Sequence, residues 1–175
     1  GTYLLLQDGR DLVVVDQHAA HERINYERIL NAHERGFSSQ ALLVPEVLDL
    51  PRAQAGILLE RADMLAGLGI ELSDFGGGSI AVSALPPNLS PGEVRTLVTD
   101  VAQELMSHRP STAVDELRHG VAALAACHGS VRAHQRLTLE EVRSLLTQLD
   151  AADHPYTCPH GRPLLTRFSQ RDVAK

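Results

Sequence analysis

The chain has 175 residues, 43% of them hydrophobic, enough for one domain or two small lobes around a real core. Aromatics are 3% and Trp is absent, so that core is aliphatic, and a formal charge of −6 excludes a strong grip on nucleic acid by general electrostatics alone. The chain starts at Gly1 with no signal-peptide pattern and no long apolar span, so it is expected to be a soluble, cytoplasmic piece of something longer, with no membrane partner.

Tyr3 to Gln7 reads as a strand, Asp8-Gly9-Arg10-Asp11 as a turn, and Leu12 to Val15 as the returning antiparallel strand. A helix from about His18 to Glu34 follows, with Gly36 as its C′ residue. Gln40 to Pro45 is extended, and Pro45 keeps it from being an ordinary central strand. Glu46 to Leu50 is a short strand. The spacing of Ile57, Leu58, Met64, Leu65 and Leu68 predicts one helix over 52–68, stopped by Gly69. Ile70 starts a strand, Phe75-Gly76-Gly77-Gly78 turns, and Ser79 to Leu85 runs back as far as Pro86-Pro87. Ser90-Pro91-Gly92-Glu93 has the residues of a helix start, Ser90 being the cap, and that helix continues to about Met106. After Pro110, Ser111 is placed to cap a helix bearing Val114, Leu117, Val121, Leu124 and Ala125, which leads into Cys127. Thr138-Leu139-Glu140-Glu141 is a capping box for a helix through Leu149. Cys158 to Pro163 is a loop, Leu164 to Phe168 a strand, and Ser169 with Asp172 the cap of a final helix. The expected fold class is α/β (α+β), with a strand-helix-strand-strand-helix insert at about 45–108.

Nine His and two Cys favour metal ligation over a disulfide. Asp16 sits at a strand exit, and His18 and Glu22 share one face of the helix that follows. Two carboxylates and an imidazole there are half of a divalent-metal site. The alternative is a solvated helix start, where acids favour the positive end of the dipole. Cys158 and His160 stand on a hook stiffened by Pro159, Gly161 and Pro163, which suits a thiolate–imidazole pair for zinc. The alternative is a buried Cys beside a solvated His. Cys127, ending an apolar helix, reads on its own as core. Glu27 pairs with Arg23 one turn earlier, as a helix-stabilising or supporting group. Familiar metal patterns are missing: Asn25 stands where a zinc-protease helix needs its second His, and the zinc-deaminase signature is absent. Asp16, His18, Glu22, Cys127, Cys158 and His160 remain as a pool of donors. Such a pool suits two metals about 4 Å apart that share a carboxylate during phosphodiester cleavage.

These segments resemble the C-terminal endonuclease domain of the MutL family of DNA mismatch repair proteins. Asp16-Gln17-His18-Ala19, with Glu22 and Glu27 at the family's spacing, matches its nuclease motif. Ala126-Cys127-His128 with Arg132-Ala133 resembles the second element, and Cys158-Pro159-His160-Gly161-Arg162-Pro163 matches the third. Gln40-Ala41-Leu42-Leu43-Val44-Pro45 looks like the family's sliding-clamp docking peptide, an extended segment with an apolar anchor. Read alone, it is a linker that packs Leu42 and Leu43 into the core.

The resemblance implies a metal-dependent endonuclease that nicks one DNA strand in mismatch repair, a hydrolase of phosphodiester bonds. Asp16 and Glu22 would be catalytic. Asp16, His18, Glu22, Cys127, Cys158 and His160 would bind zinc or the manganese or magnesium used in nicking. Glu27 would support the site from behind, and Arg162 would steady the loop or approach a phosphate. Gln40, Leu42, Leu43 and Pro45 would dock on the clamp, which brings an acidic domain to double-stranded DNA. The resemblance also implies a homodimer: residues 1–44 and 109–175 would form its dimerisation lobe and 45–108 an external regulatory lobe. ATP and the mismatch-recognition protein would act through the full-length protein, ATP through an N-terminal domain outside this chain. The rival readings are a non-catalytic dimerisation and clamp-docking platform with a structural or regulatory zinc, and a purely structural zinc module.

Overall fold

The computed structural model describes residues 2–31, 39–87, 89, 91–109, 111–130 and 137–173. Along the chain the elements run β1 (Tyr3–Asp8), β2 (Asp11–Asp16), α1 (Gln17–Leu30), β3 (Gln40–Asp49), α2 (Arg52–Glu60), α3 (Ala62–Ala66), β4 (Glu71–Gly76), β5 (Ser79–Leu85), a 3₁₀ turn (Pro91–Glu93), α4 (Val94–Ser107), α5 (Val114–His128), α6 (Leu139–Asp150), β6 (Leu165–Phe168) and α7 (Gln170–Val173). The mixed α/β class is as expected. No helix among the described residues is long and apolar enough to cross a membrane. The chain divides into two compact units, residues 1–27 with 130–175, and residues 28–129.

The first unit is built on an antiparallel sheet in the order β1-β2-β6. Gly9, at φ 61°, makes the tight turn between β1 and β2, in register Leu6 opposite Val13. β2 is the central strand and alternates as a half-buried strand should: Val13 and Val15 are buried, and Leu12 and Val14 less so. Val13 and Val15 join Ala20 and Ile24 of α1, Leu145 and Leu149 of α6, and Cys158 and Leu164 in one apolar cluster. The predicted capping box starts α6. The Thr138 hydroxyl accepts the Glu141 N–H at 3.3 Å, and the Glu141 carboxylate accepts the Thr138 N–H at 2.7 Å. β6 ends at the Ser169 cap: the Asp172 carboxylate accepts the Ser169 N–H at 2.9 Å and opens the short α7.

The second unit carries the sheet β3-β5-β4, antiparallel throughout, with β5 in the middle. Ile80, Val82 and Ala84 of β5 are buried, as are Leu97, Val98 and Val101 of α4 and Val121, Ala122 and Ala125 of α5. Three consecutive left-handed glycines, Gly76, Gly77 and Gly78, turn β4 into β5.

Several expectations are revised. β3 is one edge strand of 10 residues, not a linker followed by a short strand. Pro45 is tolerated because pairing is interrupted around it: Ala41 faces Ala84 and Glu46 faces Val82, so five steps on β3 span two on β5. The slack bulges outward. Leu43 is 105% exposed and Val44 77%, so Leu43 is not packed into a core. The single helix expected over 52–68 breaks at Arg61 (φ −106°, ψ 15°), whose N–H is shared between the Ile57 and Leu58 carbonyls at 3.2 Å each. Ser111 does not cap α5; Ala113 holds the cap position, and Asp115 and Glu116 supply negative charge in the first turn. α1 ends at Leu30. Glu34, Gly36, Ser90, Pro110 and the Arg132-Ala133 pair lie outside the described residues. Within the second unit β3 pairs with β5 from Gln40 onward and α5 packs on α4.

Candidate active site

The first motif starts where β2 ends. The Asp16 N–H donates to the Leu164 carbonyl at 2.9 Å, which continues the sheet, and its Oδ1 accepts the Ala19 N–H at 3.1 Å. Asp16 is therefore the N-cap of α1, with its side chain on the third helical N–H. One turn on, His18 Nε2 stands 3.2 Å from Glu22 Oε1, with the Glu22 side chain the more buried of the two. The i, i+4 spacing read in the sequence thus becomes a real imidazole–carboxylate pair.

The third motif is a small self-bonded hairpin. Thr157 and Pro163 form an isolated bridge, the Leu164 N–H donates to the Tyr156 carbonyl at 2.9 Å, and the Cys158 N–H donates to the Arg162 carbonyl at 2.8 Å. Gly161, at φ 79°, closes the turn by donating its N–H to the Cys158 carbonyl at 2.9 Å. The Arg162 N–H then points at Cys158 Sγ, 3.3 Å away. The Arg162 contacts within the loop are made by its backbone. Cys158 is a buried thiol, 3% exposed and part of the apolar cluster, whereas His160 is exposed at the turn.

Two side chains of α1 tie this hairpin and the segment just before it to the first motif. Arg23 Nε donates to the Thr157 carbonyl at 2.5 Å and Nη2 to the Cys158 carbonyl at 2.8 Å. Glu27 Oε2 accepts the Asp153 N–H at 2.8 Å and Oε1 the His154 N–H at 3.0 Å. The Arg23–Glu27 pair itself is 3.6 Å and almost wholly buried. The Arg23 guanidinium also lies 5.2 Å from the centre of the Tyr26 ring. Burial raises the Tyr26 phenol above its ordinary value and Glu27 adds to the rise, with the Arg23 charge opposing both. Glu27 thus joins α1 to the segment just before the hairpin. Arg23 was legible only as its helix partner.

Cys127 lies in the second unit, exposed near the end of α5. Its neighbour His128 bonds Asp100 of α4, Nε2 to Oδ2 at 2.9 Å. Gln40, Leu42, Leu43 and Pro45, expected to dock on a clamp, are also in the second unit, on β3; Leu42 is half-buried and the other three are exposed.

Among the described residues, no group of three or more His, Cys, Asp or Glu side chains is gathered to hold an ion. The His18–Glu22 pair offers two donors, fewer than the three or four protein ligands zinc takes.

A capped strand–helix junction stands beside a thiol hairpin latched to the same helix, and comparison with known proteins gives the family. The family described as "MutL C terminal dimerisation domain" matches residues 1–137. The chain is 41% identical over 174 residues to "DNA mismatch repair protein MutL" of Brucella abortus and of Brucella melitensis, covering 99% of this chain and 28% of each relative. The protein of that name from Xylella fastidiosa is likewise 41% identical over 174 residues, with the same 99% and 28% coverage. The chain belongs to the MutL C-terminal domain family. It spans a little over a quarter of these curated relatives, 28% of their length.

Proposed function

We propose that this domain is the DNA-nicking part of a mismatch repair protein: a metal-dependent endonuclease that works as a homodimer and is brought to double-stranded DNA by a sliding clamp. The observation that supports it most is the latch: within the first unit, Arg23 holds the Thr157–Arg162 hairpin, and Glu27 the Asp153–His154 segment before it, on the helix that Asp16 caps and that carries His18 and Glu22. Asp16 and Glu22 are the proposed catalytic carboxylates. Zinc, with manganese or magnesium for nicking, is the proposed cofactor set, bound through Asp16, His18, Glu22, Cys158 and His160 of the first unit. Cys127 of the second unit is proposed as a further metal-binding thiol. The dimerisation role follows the family's description. Clamp docking through Gln40, Leu42, Leu43 and Pro45 is supported by the outward bulge of β3, which leaves Leu43 bare. ATP and the mismatch-recognition protein act through the rest of the full-length protein.

A non-catalytic platform for dimerisation and clamp docking is the second reading. It is favoured by the family's description as a dimerisation domain, and any zinc in it would be structural or regulatory.

One comparison separates the two. Supercoiled plasmid is incubated with manganese, the clamp and the full-length protein, intact or carrying Asp16→Asn, and metal content is measured by elemental analysis. The endonuclease reading expects nicking by the intact protein and its loss in a variant that still folds and dimerises. Equal nicking by both, or none by either, leaves the platform.

A further inference from the structure

Arg23 is a charged side chain that sits almost entirely out of water, at 5% exposure. A buried guanidinium has to find acceptors, because the desolvation it suffers is not recovered otherwise. Arg23 finds them in the backbone of the thiol hairpin. Nε takes the Thr157 carbonyl at 2.5 Å, while Nη2 takes the Cys158 carbonyl at 2.8 Å and reaches Thr157 Oγ1 at 3.5 Å. Nη1 is left for Glu27, at 3.6 Å. The Cys158 carbonyl also accepts the Gly161 N–H that closes the hairpin turn, so one oxygen is shared by the fork and the turn.

A planar fork that bonds two successive carbonyls fixes the peptide between them. That peptide links Thr157 to Cys158, so its orientation sets the direction in which the Cys158 side chain leaves the backbone. We infer that Arg23 is the positioning residue of the Cys158–His160 hook, with Glu27 holding the guanidinium in place and seating the chain just before the hook. The inference rests on the endonuclease reading only for the use made of the hook. Lysine cannot replace the fork, because an ammonium is a point charge and cannot present two fixed parallel N–H bonds.

The test uses the full-length protein with Arg23→Lys and Arg23→Gln. The first readout is the alkylation rate of Cys158 by iodoacetamide, resolved from Cys127 by peptide mass. Cys158 is 3% exposed, so labelling reports how often the hook opens. Losing charge-assisted bonds to two carbonyls raises that rate by about tenfold or more in both variants, with far-UV circular dichroism and the dimer unchanged. The second readout is nicking. Because Arg23 holds protein backbone, kcat falls while KM for DNA stays, which a general loss of folded protein does not produce. Wild-type labelling and wild-type kcat in Arg23→Lys would overturn the inference, since charge alone would then suffice. Should Arg23→Gln fail to fold, the Lys variant carries the comparison. Should the wild-type protein not nick, the endonuclease reading falls, and the labelling rates alone decide the role of Arg23.

Discussion

Asp16 caps α1 through Ala19, Oδ1 accepting that N–H at 3.1 Å, so the residue proposed to be essential for nicking also starts the helix that carries the rest of its motif. The two jobs separate by substitution. Asn is as good an N-cap as Asp, whereas Ala removes the acceptor and costs about 1 kcal/mol. Asp16→Asn is therefore expected to keep the wild-type melting midpoint while losing about a hundredfold or more in nicking rate. Asp16→Ala loses the same activity and some stability as well. Denaturant melts of the two variants beside plasmid nicking check this. An active Asp16→Asn would make the cap the residue's whole role.

What could be read in advance divides along the range of the interactions involved. The Thr138–Glu141 box, the β1–β2 hairpin and the Ser169–Asp172 cap are set by neighbours a few residues apart, and all appear where expected. The break at Arg61 has no Gly or Pro to announce it. The apolar spacing from Ile57 to Leu68 runs straight through it, and Leu58, Leu65 and Leu68 on either side are all buried. Likewise, Pro45 excludes a central strand but not an edge strand with slack beside it, and the slack exists only because β5 pairs on both sides. At the site, the i, i+4 spacing gave away the His18–Glu22 and Arg23–Glu27 pairs. The carbonyls that Arg23 grips lie 134 and 135 positions away in the chain, so no local pattern pointed to them.

The exposed bulge of β3 separates docking from folding. Leu43 is 105% exposed, so shortening it removes no buried area. Leu43→Ala is expected to change stability by less than about 0.5 kcal/mol, as surface substitutions usually do. If Leu43 is the apolar anchor, the same change weakens clamp binding by about tenfold or more, in line with the cost of truncating an interface anchor. Surface plasmon resonance against immobilised clamp gives the second number and a urea melt the first. Unchanged binding would move the docking site elsewhere.

The start of α6 carries a pH dependence with a definite sign. The Glu141 carboxylate accepts the Thr138 N–H and hydroxyl, and these bonds, backbone first, hold its pKa below the ordinary 4.5, against a smaller upward push from desolvation and with some help from the His21 charge. A carboxylate lowered on folding stabilises the folded state above its unfolded value, and that contribution fades as pH falls through the folded value. The first unit is therefore expected to lose stability below about pH 4.5, and Glu141→Gln to flatten that part of the profile. Thr138→Ala removes the other half of the box and costs about 1 kcal/mol near neutral pH. Amide hydrogen exchange in the first turn of α6, followed from pH 6 to about pH 3.5, checks both expectations.

Glu27 shows what holds the latch together energetically. Its two oxygens each accept a backbone N–H, from Asp153 at 2.8 Å and His154 at 3.0 Å, and it is the carboxylate facing the buried Arg23. Glu27→Ala removes both acceptors and strips a guanidinium of its counter-charge inside the unit. Breaking a buried pair from one side costs about 3–5 kcal/mol, and the side chain's 12% exposure places the loss near the lower end, about 3 kcal/mol. Glu27→Gln keeps one acceptor oxygen and most of the volume, so its loss is smaller, about 1–2 kcal/mol. The damage should be local: exchange of the Asp153 and His154 amides accelerates in both variants, while the amides of β5 in the second unit keep their protection. A Glu27→Ala variant within about 0.5 kcal/mol of wild type would mean that Arg23 is held by the Thr157 and Cys158 carbonyls alone.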